Sequence, residues 1–426
     1  MQVTERAVNS LIDKGKVCLV SLGCPKNLVD SEVMLGILKD HHFELTTDET
    51  RADVIVVNTC GFINDAKEES IDTILRLAEL KEKGNCRLFI VAGCLSQRYK
   101  EELAEGLPEV DYFIGTGEYP KIAEIIKDGS SQRVIVNAPT YIPDHTVPRI
   151  LSTPRHSAYV KVAEGCSNHC SYCTIPGIRG EFRSRPIQSI LTEIENLVAQ
   201  GVKEVNLIAQ DTTSYGKDLN DPETLEDLLE EMVKIDGLKW IRLLYLYPNR
   251  MTDGLIRLIR DNEKICKYID IPTQHISDRI LKTMNRRYRR QDIERLIQRV
   301  REEIPGVVLR TSLIVGFPGE TERDFEELLD FVKGIRFDRL GAFKYSREEG
   351  TPAYEMDKQV TENIKRSRFK QIMKTQARIS LEKNKAMVGS TVKVLVEGAS
   401  EESDLLLKGR IESQAPDIDG VTYINK

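Results

Sequence analysis

The chain lacks any apolar run approaching the ~20 residues that a membrane-spanning helix requires. Its polar start, Met1–Lys16, has no signal-peptide core either. Both absences point to the cytoplasm, where cysteines stay reduced and metal ligation is a better default than disulfides. An excess of positive charge is also missing: 61 Lys and Arg against 67 Asp and Glu leave a net charge of −6. That removes any general electrostatic case for a polyanionic partner. A phosphate-binding loop is excluded too, because the glycine-bearing stretch Gly316-Phe317-Pro318-Gly319-Glu320-Thr321 is not followed by Gly-Lys-Ser/Thr. Finally, the densest cysteine group has no fourth member nearby, whereas a closed structural zinc site wants four ligands.

That group is Cys166, Cys170 and Cys173, spaced C-x-x-x-C-x-x-C between a short apolar strand and a loop rich in Pro, Gly and Arg. Three thiolates on one short loop hold three corners of a cubane iron–sulfur cluster and leave the fourth iron open for a small ligand. The chain has nine cysteines in 426 residues, a length that suits two or three domains, and its 40% hydrophobic and 30% charged content fits a globular protein.

Strands alternating with helices fill the first part of the chain. Val17–Ser21, Asp53–Asn58 and Arg87–Ala92 read as buried strands; helices are expected from Asn27 to about Asp40, over Asn64–Lys83 and over Ser96–Glu105. This predicts a doubly wound α/β domain with a parallel sheet. Cys24, Cys60 and Cys94 each fall just past the carboxyl end of one of these strands, beside Gly23, Gly61 and Gly93. In an open α/β sheet those ends share the edge where ligands bind, so three cysteines about 35 residues apart are expected to converge. The other reading, three small apolar core residues, leaves their coincident placement unexplained. Cys18, Cys86 and Cys266 show no such placement and are read as core.

Residues 131–155, with Pro139, Pro143, Pro148 and Pro154, read as a linker. Six strand–helix units follow, on strands Tyr159–Ala163, Glu204–Ala209, Trp240–Leu244, Tyr268–Ile271, Val307–Val315 and Phe337–Tyr345. They suit a partial (β/α)6 barrel with its site at the carboxyl edge, since a full eight-stranded barrel takes about 250 residues. On that edge lie the cysteine loop with Tyr172, the polar run from Gln210 and Asp211 to Gly216, Pro272–His275, and the Gly316–Thr321 turn. A capped loop explains the Gln210 run as well as a binding role does, and His275 reads as structural. Arg286–Arg290, the most basic run, reads as a solvated helix approach with nucleic-acid contact as the alternative. Arg179–Pro186 has the stronger claim to lie near the active site. Ile364–Met387 reads as a long exposed spacer helix, and three alternating segments from Gly389 onward as a small all-β module that stops in mid-pattern, and so as truncated.

The cysteine loop and the barrel-like series behind it resemble the radical S-adenosylmethionine superfamily. Ser21–Asn27, Asn58–Phe62 and Ala92–Cys94 resemble the N-terminal domain of the methylthiotransferases within it. Arg179-Gly180 with Ser184-Arg185-Pro186 is similar to their central domain, and Gly409–Gly420 to their TRAM module. The likeness runs from about residue 16 to 426 and implies domains at 16–130, 156–385 and 386–426. It also implies two 4Fe-4S clusters and S-adenosyl-L-methionine as cofactors. Cys166, Cys170 and Cys173 would hold the radical-forming cluster, and Cys24, Cys60 and Cys94 an auxiliary one. Tyr172, Gln210, Asp211, Gly316 and Glu320 would approach the cofactor. In the family one S-adenosylmethionine methylates a sulfur on the auxiliary cluster, and a second is cleaved to a radical that abstracts a substrate hydrogen. The segment Leu22–Ser31 resembles the ribosomal-protein branch, which modifies an aspartate β-carbon of small-subunit ribosomal protein twelve. The implied partners are that protein and an electron donor, with no membrane; the TRAM module leaves a nucleic-acid contact open. The alternatives are a tRNA N6-modified-adenosine methylthiotransferase and a non-catalytic iron–sulfur or zinc module.

Overall fold

The computed structural model describes residues 15–220, 223–403 and 405–425, so the polar start Met1–Lys16 lies almost wholly outside the described residues. The chain divides into two compact units. One runs to Ser152 and takes in Ala163–Asn168 and Cys173–Arg185; the other holds Thr153–Val162, His169–Tyr172 and the chain from Pro186 onward.

In the first unit six strands run parallel: β1 (Lys16–Ser21), β2 (Glu44–Thr46), β3 (Val54–Thr59), β4 (Leu88–Gly93), β5 (Tyr112–Ile114) and β6 (Val134–Ile135). Their order across the sheet is β2-β1-β3-β4-β5-β6. β3 and β4 are buried along their whole length, as strands covered by helices on both faces must be. One face packs Met34, Leu38, Ile122 and Ile126 against Val56 and Ile90; the other packs Ile74, Leu77 and Leu103 against Val57, Phe89 and Val91. The doubly wound architecture expected from the sequence is therefore present. The strand order reverses between β1 and β3, where such sheets open a crevice at their carboxyl ends.

Three strands escaped the sequence reading. β2, β5 and β6 are two or three residues long and carry no alternation to detect. The first helix also starts earlier than expected, at Pro25 with Cys24 in the capping position. Asn27 lies inside the helix, and its amide donates to Leu22 O at 2.7 Å and Thr59 O at 3.1 Å, tying the helix to the ends of two strands. The proline-bearing stretch after β6 is anchored as well, because Arg149 and Ser152 both bond the buried carboxylate of Glu32.

The second unit is built on β7 (Ser157–Lys161), β8 (Glu204–Ile208), β9 (Trp240–Leu243), β10 (Ile265–Asp270), β11 (Val308–Val315) and β12 (Arg339–Lys344). They form one parallel sheet in sequential order with helices between them, the partial barrel that the pattern predicts. The helix Glu362–Ala386 is no spacer. It buries Lys365, Arg368, Ile372, Gln376 and Ile379, and Gln376 donates to Phe337 O at 2.9 Å. Its apolar positions are sparse and polar side chains fill its packed face, which is why it read as exposed.

The C-terminal module is a three-stranded antiparallel sheet of β13 (Val394–Ala399), β14 (Leu406–Ile411) and β15 (Thr422–Asn425). It docks on the amino-terminal side of the barrel strands. Arg410 reaches Glu204 at 2.5 Å, Arg242 bonds the same carboxylate at 2.9 Å, and Tyr268 donates to Asp419 at 2.7 Å. All three charged groups at Glu204 are buried. Each cation is expensive to desolvate alone, so the group specifies one docking geometry more than it adds stability.

Candidate functional site

Cys24, Cys60 and Cys94 follow the carboxyl ends of β1, β3 and β4, three adjacent strands of the first sheet. Cys24 precedes the first helix and Cys94 opens the third, so both leave the sheet at helix N-termini. Ser70 fixes Cys60 by accepting its N–H at 3.1 Å and donating to its carbonyl at 2.9 Å. The close approach needs glycine at Gly23: φ there is +90°, and an added Cβ would lie 2.8 Å from Cys60 Cβ and 3.2 Å from its sulfur.

The electrostatics of this trio oppose free thiolates. Burial pushes the Cys60 thiol up to about 12, and Cys94 and Cys24 add to the effect. Burial likewise raises Cys94, with Arg179 acting against it. Thiols that crowd one another and resist ionisation are stabilised as ligands by a bound cationic centre, which deprotonates them outright. Among the described residues no three His, Cys, Asp or Glu side chains close on a point as ligands of a single ion would. A cubane makes no such demand, since each thiolate takes its own corner. The donor set therefore fits a three-cysteine cluster.

Arg179 belongs to this site. It is 2% exposed, and its guanidinium bonds Asp30 at 2.6 Å, Glu164 at 3.2 Å, Asn27 Oδ1 at 3.0 Å and Cys94 Sγ at 3.4 Å. The segment after the C-x-x-x-C-x-x-C loop thus reaches Cys94 directly.

The loop itself starts from a short antiparallel pair, Ala163–Glu164 with Arg183–Ser184. Cys166 N–H donates to Gly180 O at 3.0 Å, and Gly165, at φ +77°, passes so close to the Glu181 carbonyl that a side chain there would collide. In the second unit, Cys170 is buried and Ser171 is pinned by its N–H to Met284 O at 3.1 Å and its hydroxyl to Thr283 O at 2.8 Å. Tyr172 packs edge-on to Phe317 with ring centroids 6.5 Å apart.

The other residues singled out from sequence divide differently. Gly316 and Phe317 donate their N–H groups to Glu320, whose carboxylate also meets Arg368 at 3.2 Å. Burial dominates over Arg368 and lifts the Glu320 carboxyl to about 7. Glu320 thus shapes the turn from inside the protein. Asp211 accepts from Thr213 at 2.6 Å and Ser214 at 3.0 Å and pairs with Arg250, while Thr212 donates to Leu244 O at 2.6 Å. Gln210 precedes this knot, immediately past β8. The polar run is a braced loop on the carboxyl edge.

His275 is fully buried; its Nδ1 accepts the Ser277 N–H at 3.0 Å, and burial lowers its pKa to about 3. The unfolded imidazole takes up a proton below its ordinary pKa near 6.5, and the folded one stays neutral. Its contribution is therefore whole above pH 6.5 and lost as pH falls, at up to ~1.4 kcal/mol per pH unit. His275→Gln should flatten the fall in urea stability between pH 6 and pH 4 relative to the parent; parallel pH profiles would show that His275 has no such role.

One contributor was read wrongly from sequence. Arg286, first of the basic run, is not a solvated side chain. It stacks on Tyr247 and Tyr288 at 4.2 and 4.9 Å from the ring centroids, and donates to Tyr288 Oη at 2.6 Å, Pro272 O at 2.9 Å and Cys170 Sγ at 3.4 Å. The clue lay in the tyrosine inside the basic run, which marks a place where a guanidinium has an aromatic face to cover.

Residues 16–115 match Uncharacterized protein family UPF0004, residues 160–332 the Radical SAM superfamily and residues 388–426 the TRAM domain. Ribosomal protein uS12 methylthiotransferase RimO of Geotalea uraniireducens is 60% identical over 414 residues, covering 96% of this chain and 92% of that protein. The chain belongs to the RimO family. The RimO of Geobacter sulfurreducens is likewise 60% identical, over 96% of this chain and 93% of its own length. Among solved structures, the radical S-adenosylmethionine methyltransferase TsrM of Kitasatospora setae superposes with a TM-score of 0.59 at 19% identity, over 80% of this chain and 77% of that one. That likeness is one of fold. The protein is a radical S-adenosylmethionine methylthiotransferase, and membership of the superfamily implies a 4Fe-4S cluster and S-adenosylmethionine. Among the described residues no helix is long and apolar enough to cross a membrane.

Proposed function

We propose that this chain methylthiolates an aspartate β-carbon of ribosomal protein uS12 in the cytoplasm, using two clusters. Cys166, Cys170 and Cys173 would hold one and Cys24, Cys60 and Cys94 the other. When bound, the clusters would supply one-electron reduction of S-adenosylmethionine at the first and, at the second, a sulfur that accepts a methyl group and is transferred with it as a methylthio group. The chain's residues do the rest. Gly23 and Ser70 hold Cys60 beside the strand ends, and Asn27 and Arg179 brace Cys94. Tyr172, Gln210, Asp211, Gly316 and Glu320 would line or shape the place where the cofactor binds. In this reading 16–130 carries the sulfur-bearing site, 131–155 links it onward, 156–385 carries the radical-forming site and 386–426 contributes to recognition.

The observation that carries the reading is the trio at β1, β3 and β4: a radical-forming loop needs no second cysteine set, whereas a sulfur donor does. The relatives' activity on ribosomal protein uS12, which their names state, supports the choice of substrate. Reconstituted enzyme, given S-adenosylmethionine and a low-potential reductant, should add a methylthio mass to uS12 and none to tRNA. A gain on tRNA alone would overturn the assignment, and zinc in place of iron would overturn the enzyme reading at this site.

A further inference from the structure

We infer that Arg286 is the counter-charge of the cluster assigned to Cys166, Cys170 and Cys173, and that its N–H donation to the Cys170 sulfur favours the reduced cluster. The inference rests on the cysteine assignment made above.

Three features single Arg286 out. Its guanidinium donates in three directions, to Tyr288 Oη, Pro272 O and Cys170 Sγ, and two tyrosine rings clamp its planar face. Both rings are themselves buried, Tyr247 at 6% and Tyr288 at 5% exposure, so the clamp is rigid and the charge partly desolvated. Among the described residues no carboxylate pairs with it; the groups that bear on it are Tyr288, Tyr172, Cys170 and Tyr247. A guanidinium stays charged at every accessible pH. Withdrawn from water without an anion, it is costly, and proteins keep such charges where an anion arrives. A cubane on three thiolates is that anion, with net negative charge that grows on reduction. Donors to cluster sulfurs and nearby positive charge are among the levers that set its potential.

Arg179 provides the contrast. It makes the same 3.4 Å contact with the buried cysteine of the other trio, but Asp30 and Glu164 already offset its charge. The two arginines look equivalent by their distance to sulfur. By their partners they are not, and only Arg286 has charge left over for a cluster.

The test uses the full chain carrying Cys24→Ala, Cys60→Ala and Cys94→Ala, so that one cluster gives one signal. A mediated reductive titration followed by electron paramagnetic resonance then reads its potential. Arg286→Met should lower the reduced fraction at a fixed potential about tenfold, equivalent to ~59 mV for one electron. Arg286→Lys, which keeps the charge but loses the fork, should fall between parent and Met variant. Unchanged potentials in the loaded variants would overturn the inference. So would failure of both variants to bind iron, which would assign Arg286 to folding of the loop. If only the Met variant fails to load, the Lys variant decides. A parent that binds no iron would instead overturn the cysteine assignment, so the two failures are distinguishable.

Discussion

Replacing Cys24, Cys60 and Cys94 together by alanine should leave about four irons per chain, unimpaired reductive cleavage of S-adenosylmethionine, and methylthio transfer at background. The physical basis is that Cys170 has supports of its own. The auxiliary trio hangs from three strand ends of the first sheet, while Cys170 is braced by Ser171, Met284 and Arg286 in the second unit. Those supports do not include Cys24, Cys60 or Cys94, so removing the three thiols takes away a ligand set and leaves the bracing of Cys170 in place. Iron and sulfide content, 5′-deoxyadenosine release and the mass of uS12 are the three readings. Persistent methylthio transfer would mean that the sulfur comes from elsewhere. Loss of cofactor cleavage along with transfer would mean that the sets do not act as separate parts.

Arg179→Met should destabilise the first unit by about 3–5 kcal/mol, the usual cost of removing one partner from a buried ion pair. Arg179, Asp30 and Glu164 are all buried, and the side chain also holds Asn27 and the Cys94 sulfur. Without the guanidinium two carboxylates stay behind in a site that cannot hydrate them, next to the cysteines that would carry a negatively charged cluster. Auxiliary iron should therefore be lost with stability. Adding Asp30→Asn and Glu164→Gln should restore much of the stability, because the unpaired charges are then gone. Urea denaturation of apo-protein gives the first number and iron content the second. A midpoint within experimental error of the parent would show that the network is not structural, and no gain from the double neutralisation would show that repulsion is not the cause.

Legibility in the sequence followed length and local pattern. The six barrel strands, the three long helices of the first unit and the helix Glu362–Ala386 carry several turns or pleats of periodicity, and their expected bounds lie within a few residues of the observed ends. The strand Val134–Ile135 and the pair Ala163–Glu164 with Arg183–Ser184 have two residues a side, and nothing local announces them. The convergence of Cys24, Cys60 and Cys94 was legible because topology does the work: parallel strands put their carboxyl ends on one edge whatever the side chains. Glu320 is the reverse case. Its place in a glycine-bearing turn suggested an outward, cofactor-facing role, and only the packing of Arg368 and two backbone amides shows the carboxylate folded inward.

The sequence alone determined the class of fold, the order of its three regions, the open three-cysteine loop and the second, dispersed trio, because periodicity, turn residues and strand–helix alternation are encoded by near neighbours along the chain. Tertiary structure decided which charges are spent and which are not. Arg179 and Arg286 are both arginines in arginine-rich stretches, and local pattern does not say which of them is paired with carboxylates. One meets Asp30, 149 positions away, and Glu164, 15 positions away, and the other meets two tyrosine rings and a sulfur. Burial and counter-charge are properties of what surrounds a side chain in space, and no stretch of sequence around an arginine contains them.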